Sequence, residues 1–395
     1  MLIGGGAIAY STLTTNGKQI TKEATNAIQV GWNVQQNPNL IFDNVGDDRV
    51  NILLIGEDRN WKNGEVFNPR TGKFAPMQVV DNDTPPRSDT MIVISLDRQG
   101  NVMRMVSFPR DARVRYVDLD GRRHKGKMNS VYASGGTDPK MREEVLKNFF
   151  RDELGLRIDR VARIRIEGFT GLIDKVGGLD INVDGAMLKV GGKVKRGQHI
   201  FYEDKWGQWK VDLEPGMQHL DGTQAVGYAR FRYDREGDPG RIRRQQQVMR
   251  ALAKKITAQP LMQLPGVVKE AKQQFSTDMS DEELASMALF AKNIGADAKI
   301  SPLTVFGIGA SDHSDIILNK PDNIKLFSYI FGNSFDETNF LNRSNYTEKD
   351  ELGIANNRNP AAIEVLRGAG LLPPDGEVEP SPVTDVPVRT SRRDN

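Results

Sequence analysis

Arginine and aspartate are concentrated in four segments of the chain: Gly56-Glu57-Asp58-Arg59, Arg87-Ser88-Asp89-Thr90, Ser107-Phe108-Pro109-Arg110-Asp111, and the stretch from Tyr228 to Gln247. Each stands beside the end of a predicted strand, where ligands of open α/β sheets gather. In the fourth segment the spacing of Tyr228, Arg230 and Arg232 predicts one face of an extended strand, since strand side chains alternate with period two. Asp238-Pro239-Gly240 then predicts a helix start, with Arg241, Arg244 and Gln245 on one face of that helix and its positive dipole end beside them. Arginine is planar, always charged, and able to hold phosphate oxygens through two donors at once, so paired arginines suit a diphosphate better than a carboxylate. The chemistry indicated is recognition of a pyrophosphate.

Each of these residues also has a plainer reading. Asp238 fits a helix N-cap, Arg241 and Arg244 a solvated helix face, and Arg230 and Arg232 a polar sheet face. Asp89, ahead of a strongly apolar run, is either a Mg²⁺ ligand or a turn cap, with Arg87 as its ion-pair partner. Arg110 and Asp111 either hold and orient a phosphate or pair with each other at little energetic gain. Lys127 and Asn129, just before Gly135-Gly136, either face the same mouth or belong to a polar loop.

Positioning these groups falls to a series of alternating elements. Asn51 to Gly56 reads as a buried strand stopped by glycine, and Asn60 to Pro86 as a polar stretch. Thr90 to Leu96 and Val102 to Phe108 read as two strands of a hairpin joined through Asp97-Arg98-Gln99-Gly100-Asn101. Asp138-Pro139 supplies an N-cap and first position for a helix whose apolar residues Met141, Val145, Phe149 and Leu154 recur at helical spacing. Val161 to Glu167 and Leu179 to Val183 return to strand patterns around a helical Phe169 to Val176. Ser280 with Glu283 forms a capping box, and Asn359-Pro360 starts a further helix. Interleaved strands and helices make the class α/β.

Composition narrows the function. The 395 residues carry a net charge of +2 and 38% hydrophobic side chains, which suits a globular protein and gives no basic surface for nucleic acid. No helix-turn-helix with a basic recognition helix is present, so nucleic acid is not an expected partner. The absence of cysteine removes disulfides, thiolate metal sites and cysteine nucleophiles. Met1 to Tyr10 carries Leu2-Ile3 and Ala7-Ile8-Ala9, fewer than the roughly 20 apolar residues that span a bilayer. It is either the outer end of a membrane anchor or an ordinary apolar terminus.

Taken together, Arg87-Ser88-Asp89-Thr90-Met91, Ser107 to Asp111, Lys127-Met128-Asn129 with Tyr132-Ala133 and Gly135-Gly136, His219-Leu220-Asp221-Gly222 through Arg230, and Gly237-Asp238 with Arg241 and Arg244-Gln245-Gln246 resemble the LytR-CpsA-Psr family of cell-envelope proteins. The match runs from about Asn51 to Ala251. The resemblance implies an α/β fold with a central, mostly mixed sheet flanked by helices. It implies a Mg²⁺-dependent phosphotransferase that moves a glycopolymer from a polyprenyl-pyrophosphate carrier to a peptidoglycan acceptor through a phosphodiester. It further implies a single-pass anchor in the cell membrane and an extracytoplasmic catalytic domain.

Carried over residue by residue, Arg87, Arg110, Arg230, Arg232, Arg241, Arg244 and Gln245 would bind the pyrophosphate, with Lys127, Asn129 and Arg113 as further contacts. Asp58 and Asp89 would hold Mg²⁺. Asp238 would orient or deprotonate the acceptor hydroxyl beside catalytic Arg110 and Arg230. The chain departs from the pattern at Glu57, where the family more often has small hydroxyl residues around the aspartate. The expected organisation is an anchor end and lead-in over 1–48, a catalytic domain over 49–258, an extension packing on the core over 259–371, and a disordered tail over 372–395. The rival reading is a non-catalytic polyprenyl-pyrophosphate or glycan-binding protein, or a pyrophosphatase.

Overall fold

The computed structural model of the chain describes residues 29–57, 61–68, 73–80, 83–203, 210–235, 237–259, 275–295, 300–305, 307–309, 315–318 and 320–341, with positions 268, 272, 273 and 367. Its centre is a six-stranded sheet built from β1 (Arg49–Glu57), β2 (Ser88–Asp97), β3 (Val102–Phe108), β4 (Arg160–Arg165), β5 (Phe275–Thr277) and β6 (Ile300–Thr304), in the order β5-β4-β1-β2-β3-β6. The sheet is mixed. β1 runs antiparallel to β2 and parallel to β4, and β3 runs antiparallel to β2 and parallel to β6. Both edge strands come from residues after 259, so this part of the chain completes the sheet.

The apolar runs of β1, β2 and β3 are continuous because both faces of the sheet are covered. Side chains alternate across the pleat. Leu53, Ile55, Met91, Val93, Val106 and Phe108 join a core with α2 (Met128–Ala133), α3 (Pro139–Asp152) and α8 (Lys320–Phe331). Val50, Ile52, Ile92, Leu96, Met103 and Met105 join one on the other face with α1 (Leu40–Val45) and α7 (Asp281–Ile294). A third core is gathered by α4 (Ile166–Lys175), α5 (Gly222–Arg230) and α6 (Gly237–Ala258).

Caps set where these helices begin. The Asp138 carboxylate accepts from the Lys140 backbone N–H at 2.9 Å with Pro139 at the first turn of α3. Capping boxes open α7 at Ser280 and Glu283 and α5 at Asp221 and Gln224. The second of these overturns the expectation of a strand at Tyr228, Arg230 and Arg232. Tyr228 and Arg230 lie on α5, and the chain leaves the helix only at Phe231. The polar stretch after Asn60 forms a hairpin, Trp61–Asn68 against Lys73–Val80. Lys127 ends a strand, and Met128 and Asn129 open α2 directly after it.

The helix expected after Asn359-Pro360, the anchor segment and the tail over 372–395 lie outside the described residues, apart from position 367. Among the described residues no helix is long and apolar enough to cross a membrane.

Candidate active site

β1 and β2 end at a bulge. Gly56 pairs with Thr90 and Glu57 with Ser88, which leaves Asp89 as the extra residue. A bulge re-aims the side chain it carries, and Asp89 lines a cavity of about 250 Å³ between the sheet and helices α4, α5 and α6. Gly56 is required at this close approach, since a Cβ there would stand 2.9 Å from the Cβ of Thr90.

The cavity has two chemically different sides. Arg110, Arg165, Arg230, Arg232 and Arg241 face it with Gln245, while Leu54, Ile92, Ile164, Phe169, Val226, Ala229 and Met249 give it an apolar wall with Tyr202 and Tyr233. Arg110 follows β3 and donates to Asp89 at 2.8 Å, and its Nε lies 3.4 Å from Asp111. Its backbone carbonyl accepts from the Asn129 N–H at 2.9 Å, which ties the arginine to the start of α2. Arg230 ends α5 and Arg241 sits in the first turns of α6, so two separate helices deliver guanidiniums to one cavity. α6 is itself held against the sheet by Gln246, which donates to the carbonyl of Leu303 at 2.8 Å and to the Thr304 hydroxyl at 3.0 Å.

Glu57 closes the floor. Its side chain is 3% exposed and accepts from the Tyr132 hydroxyl and from Arg142 at 3.2 Å, with Arg163 at 3.4 Å and Arg165 at 3.6 Å. Burial alone would raise this carboxyl, yet the Tyr132 hydroxyl, Arg163 and the buried Arg142 outweigh it and hold Glu57 below the ordinary value. Tyr132 moves the opposite way, pushed up by burial and then by the Glu57 charge, so it stays a donor.

The structure thus brings together Asp89, Arg110, Arg230, Arg232, Arg241 and Gln245, and leaves Arg87, Arg113, Lys127, Asn129 and Arg244 outside the cavity lining. Arg87 lies beyond the last ladder pair and is exposed outside the cavity lining, because the bulge uses its extra residue on Asp89. Arg113 points to Asp315 at 2.8 Å, and Lys127 reaches Asp111 at 3.0 Å and Asp315 at 3.9 Å. Asn129 is buried and acts through its backbone. Arg244 is a correction: with 0% side-chain exposure it lies in the core, paired with Asp234, donating to the Phe231 carbonyl at 2.9 Å and covering the Phe231 ring. Arg244 stands three positions after Arg241 on α6, and only Arg241 belongs to the cavity lining.

Asp58 lies outside the described residues, and so does the side chain of Asp238, whose backbone belongs to the first turn of α6. Among the described residues no group of three or more His, Cys, Asp or Glu could hold a metal. Mg²⁺ is commonly held through one or two carboxylates together with substrate phosphates. The hard oxygens of Asp89 at the cavity wall suit that donor set. Glu57, as a building part, and Arg165 are site residues beyond those expected from the sequence. The available signal was the pair of basic residues, Arg163 and Arg165, alternating at the end of a strand.

A description of the LytR_cpsA_psr family matches residues 8–323. The chain is 30% identical over 293 residues to TagV of Bacillus subtilis, a polyisoprenyl-teichoic acid–peptidoglycan teichoic acid transferase, with 72% of this chain and 67% of that one covered. It is 32% identical over 263 residues to the regulatory protein MsrR of Staphylococcus aureus, covering 66% of this chain and 65% of that one. The crystal structure of a Streptococcus agalactiae protein shares the fold with a TM-score of 0.59 at 22% identity, over 81% of this chain and 99% of that one.

Proposed function

The chain belongs to the LytR-CpsA-Psr family, and on that premise we propose that it transfers a glycopolymer from a polyprenyl-pyrophosphate carrier to peptidoglycan, leaving a phosphodiester. The observation that carries this reading is the two-sided cavity: a cluster of arginines meets an apolar wall, as a ligand with a pyrophosphate head and a hydrocarbon tail requires. TagV, by its name, acts on a polyisoprenyl-linked teichoic acid and peptidoglycan.

In the proposed reaction an acceptor hydroxyl oxygen attacks the phosphorus next to the glycopolymer. A new P–O bond forms to the acceptor, and the P–O bond to the polyprenyl phosphate breaks, with the electron pair leaving on that phosphate. The proton of the hydroxyl passes to Asp238 or to solvent. Arg110, Arg230 and Arg241 neutralise the phosphate oxygens and hold them in line, the main demand of phosphoryl transfer. Asp89, with Asp58, is the carboxylate we assign to Mg²⁺, which would neutralise charge on the pyrophosphate. Asp238, whose backbone lies in the first turn of α6, is the residue we assign to orient the acceptor hydroxyl. The reading also puts the domain outside the cytoplasmic membrane on an N-terminal anchor.

The test is incubation with a polyprenyl-pyrophosphate-linked sugar and peptidoglycan fragments, with Mg²⁺ or with EDTA, followed by mass spectrometry. A phosphodiester-linked product that needs Mg²⁺ supports the transferase. Release of sugar phosphate with no acceptor joined would make the protein a pyrophosphatase, and binding without any product would make it a carrier-binding protein.

A further inference from the structure

Glu57 and Arg165 stand opposite each other at the adjacent ends of the parallel strands β1 and β4. Arg163 and Arg165 share one face of β4, because strand side chains repeat every two residues, and both reach Glu57. The guanidiniums around this carboxylate are not equivalent. Arg142 is buried and also donates to the carbonyls of Gly136 and Thr137, at 3.1 and 2.7 Å. Arg163 is matched by a second acid, Glu143, at 3.1 Å.

Arg165 differs from both. Its side chain is 59% exposed, it lines the cavity, and its ion pair among the described residues is the single contact of its Nε with Glu57 at 3.6 Å. A guanidinium tethered through Nε keeps its terminal NH₂ groups for an anion. Among the described residues the cavity lining carries five arginines and two carboxylates, Glu57 and Asp89, a donor-rich composition that suits a polyanion.

We propose that Arg165 is a further phosphate-binding residue of this cavity, contacting the pyrophosphate of the carrier, and that Glu57 is the residue that positions it. The proposal rests on the pyrophosphate reading given above. Glu57 does not touch the ligand; it anchors one edge of Arg165 from beneath. Its own position is over-determined by Tyr132, Arg142 and Arg163, which gives Arg165 a rigid support.

Calorimetric titration of the whole chain with farnesyl pyrophosphate and with farnesyl monophosphate tests this. Arg165→Ala should weaken pyrophosphate binding about tenfold, as loss of a hydrogen bond to a charged group does, and should weaken monophosphate binding less. Its melting temperature should stay unchanged, since the side chain is exposed. Glu57→Gln should weaken pyrophosphate binding in the wild-type background but add nothing to Arg165→Ala, the signature of a residue acting through another. If Arg165→Ala binds farnesyl pyrophosphate as tightly as wild type while Arg110→Ala loses it, the role of Arg165 is wrong and the pyrophosphate site stands. If Glu57→Gln lowers affinity equally in both backgrounds, Glu57 does not act through Arg165. No binding by the wild type would overturn the pyrophosphate reading, and the Arg165 role with it.

Discussion

At the scale of single residues, two arginines of the same helix have opposite duties. Arg241 lines the cavity, whereas Arg244 is sealed in the core against Asp234. Breaking a buried pair by removing one partner costs about 3–5 kcal/mol, because the other charge is left uncompensated. Asp234→Ala should therefore lower the unfolding free energy by about that amount in a denaturant titration. Arg230→Ala, at the cavity, should leave the denaturation midpoint nearly unchanged and reduce turnover by about 10²-fold or more, the scale of losing a group that stabilises transition-state charge. The residue types and their clustering made most of the site legible: Asp89, Arg110, Arg230, Arg232, Arg241 and Gln245 converge as their composition suggested. Arg244 differs from Arg241 although spacing puts both on one helix face, because only packing decides which of the two buried arginines lines the cavity. Arg163 and Arg165 alternate at a strand end, but nothing local places Arg165 beside Glu57, since that comes from a parallel pairing of strands more than a hundred residues apart.

At the scale of elements, placement of the arginines depends on where helices start. Tyr228 and Arg230 are helical because Asp221 and Gln224 form a capping box, a signal that the strand-like alternation of Tyr228, Arg230 and Arg232 masks in the sequence. Asp221→Ala removes the acceptor for the Gln224 N–H and should cost about 1 kcal/mol, shifting thermal unfolding downward by a few degrees and raising the KM for the carrier as Arg230 loses its fixed position. The hairpin β2-β3, the helix α3 after Asp138-Pro139 and the capped α7 were all readable, since each carries its own boundary signal. A second box, at Ser280 and Glu283, links α7 to the sheet, as Arg160 reaches Glu283 at 2.6 Å. Burial would raise Glu283, but hydrogen bonds from Arg160, Asn44 and the Ser280 region outweigh it, and the carboxyl sits below its ordinary value of 4.5. A depressed carboxyl adds stability that is fully present above the unfolded-state value and is lost as pH falls through the folded one. Melting temperature measured downward from pH 5 should fall less steeply in Glu283→Gln than in wild type, and equal slopes would remove Glu283 as a source of acid sensitivity.

At the scale of the whole molecule, three cores divide the labour. One face of the sheet is locked by an aromatic cluster in which Phe327 meets Phe108, Phe331, Phe335 and Phe340 edge to face. Phe327→Ala should cost about 3–5 kcal/mol by the loss of a fully buried ring, read as a lower denaturation midpoint without a change in carrier affinity in the folded fraction. The opposite face of the sheet and the core of α4, α5 and α6 leave the cavity between them, so the site lies at a seam between packed units. The α/β class was legible from the interleaved elements, but the two edge strands were not, because β5 and β6 are short and follow stretches without motifs. The central claim is that this seam holds a carrier by both ends of its chemistry. A crystal structure with a long-chain polyprenyl pyrophosphate tests it most directly: the account predicts phosphate oxygens in contact with Arg110, Arg230 and Arg241 and the hydrocarbon against Leu54, Ile92, Phe169 and Met249. A pyrophosphate bound elsewhere, or a tail that leaves the apolar wall uncovered, would contradict it.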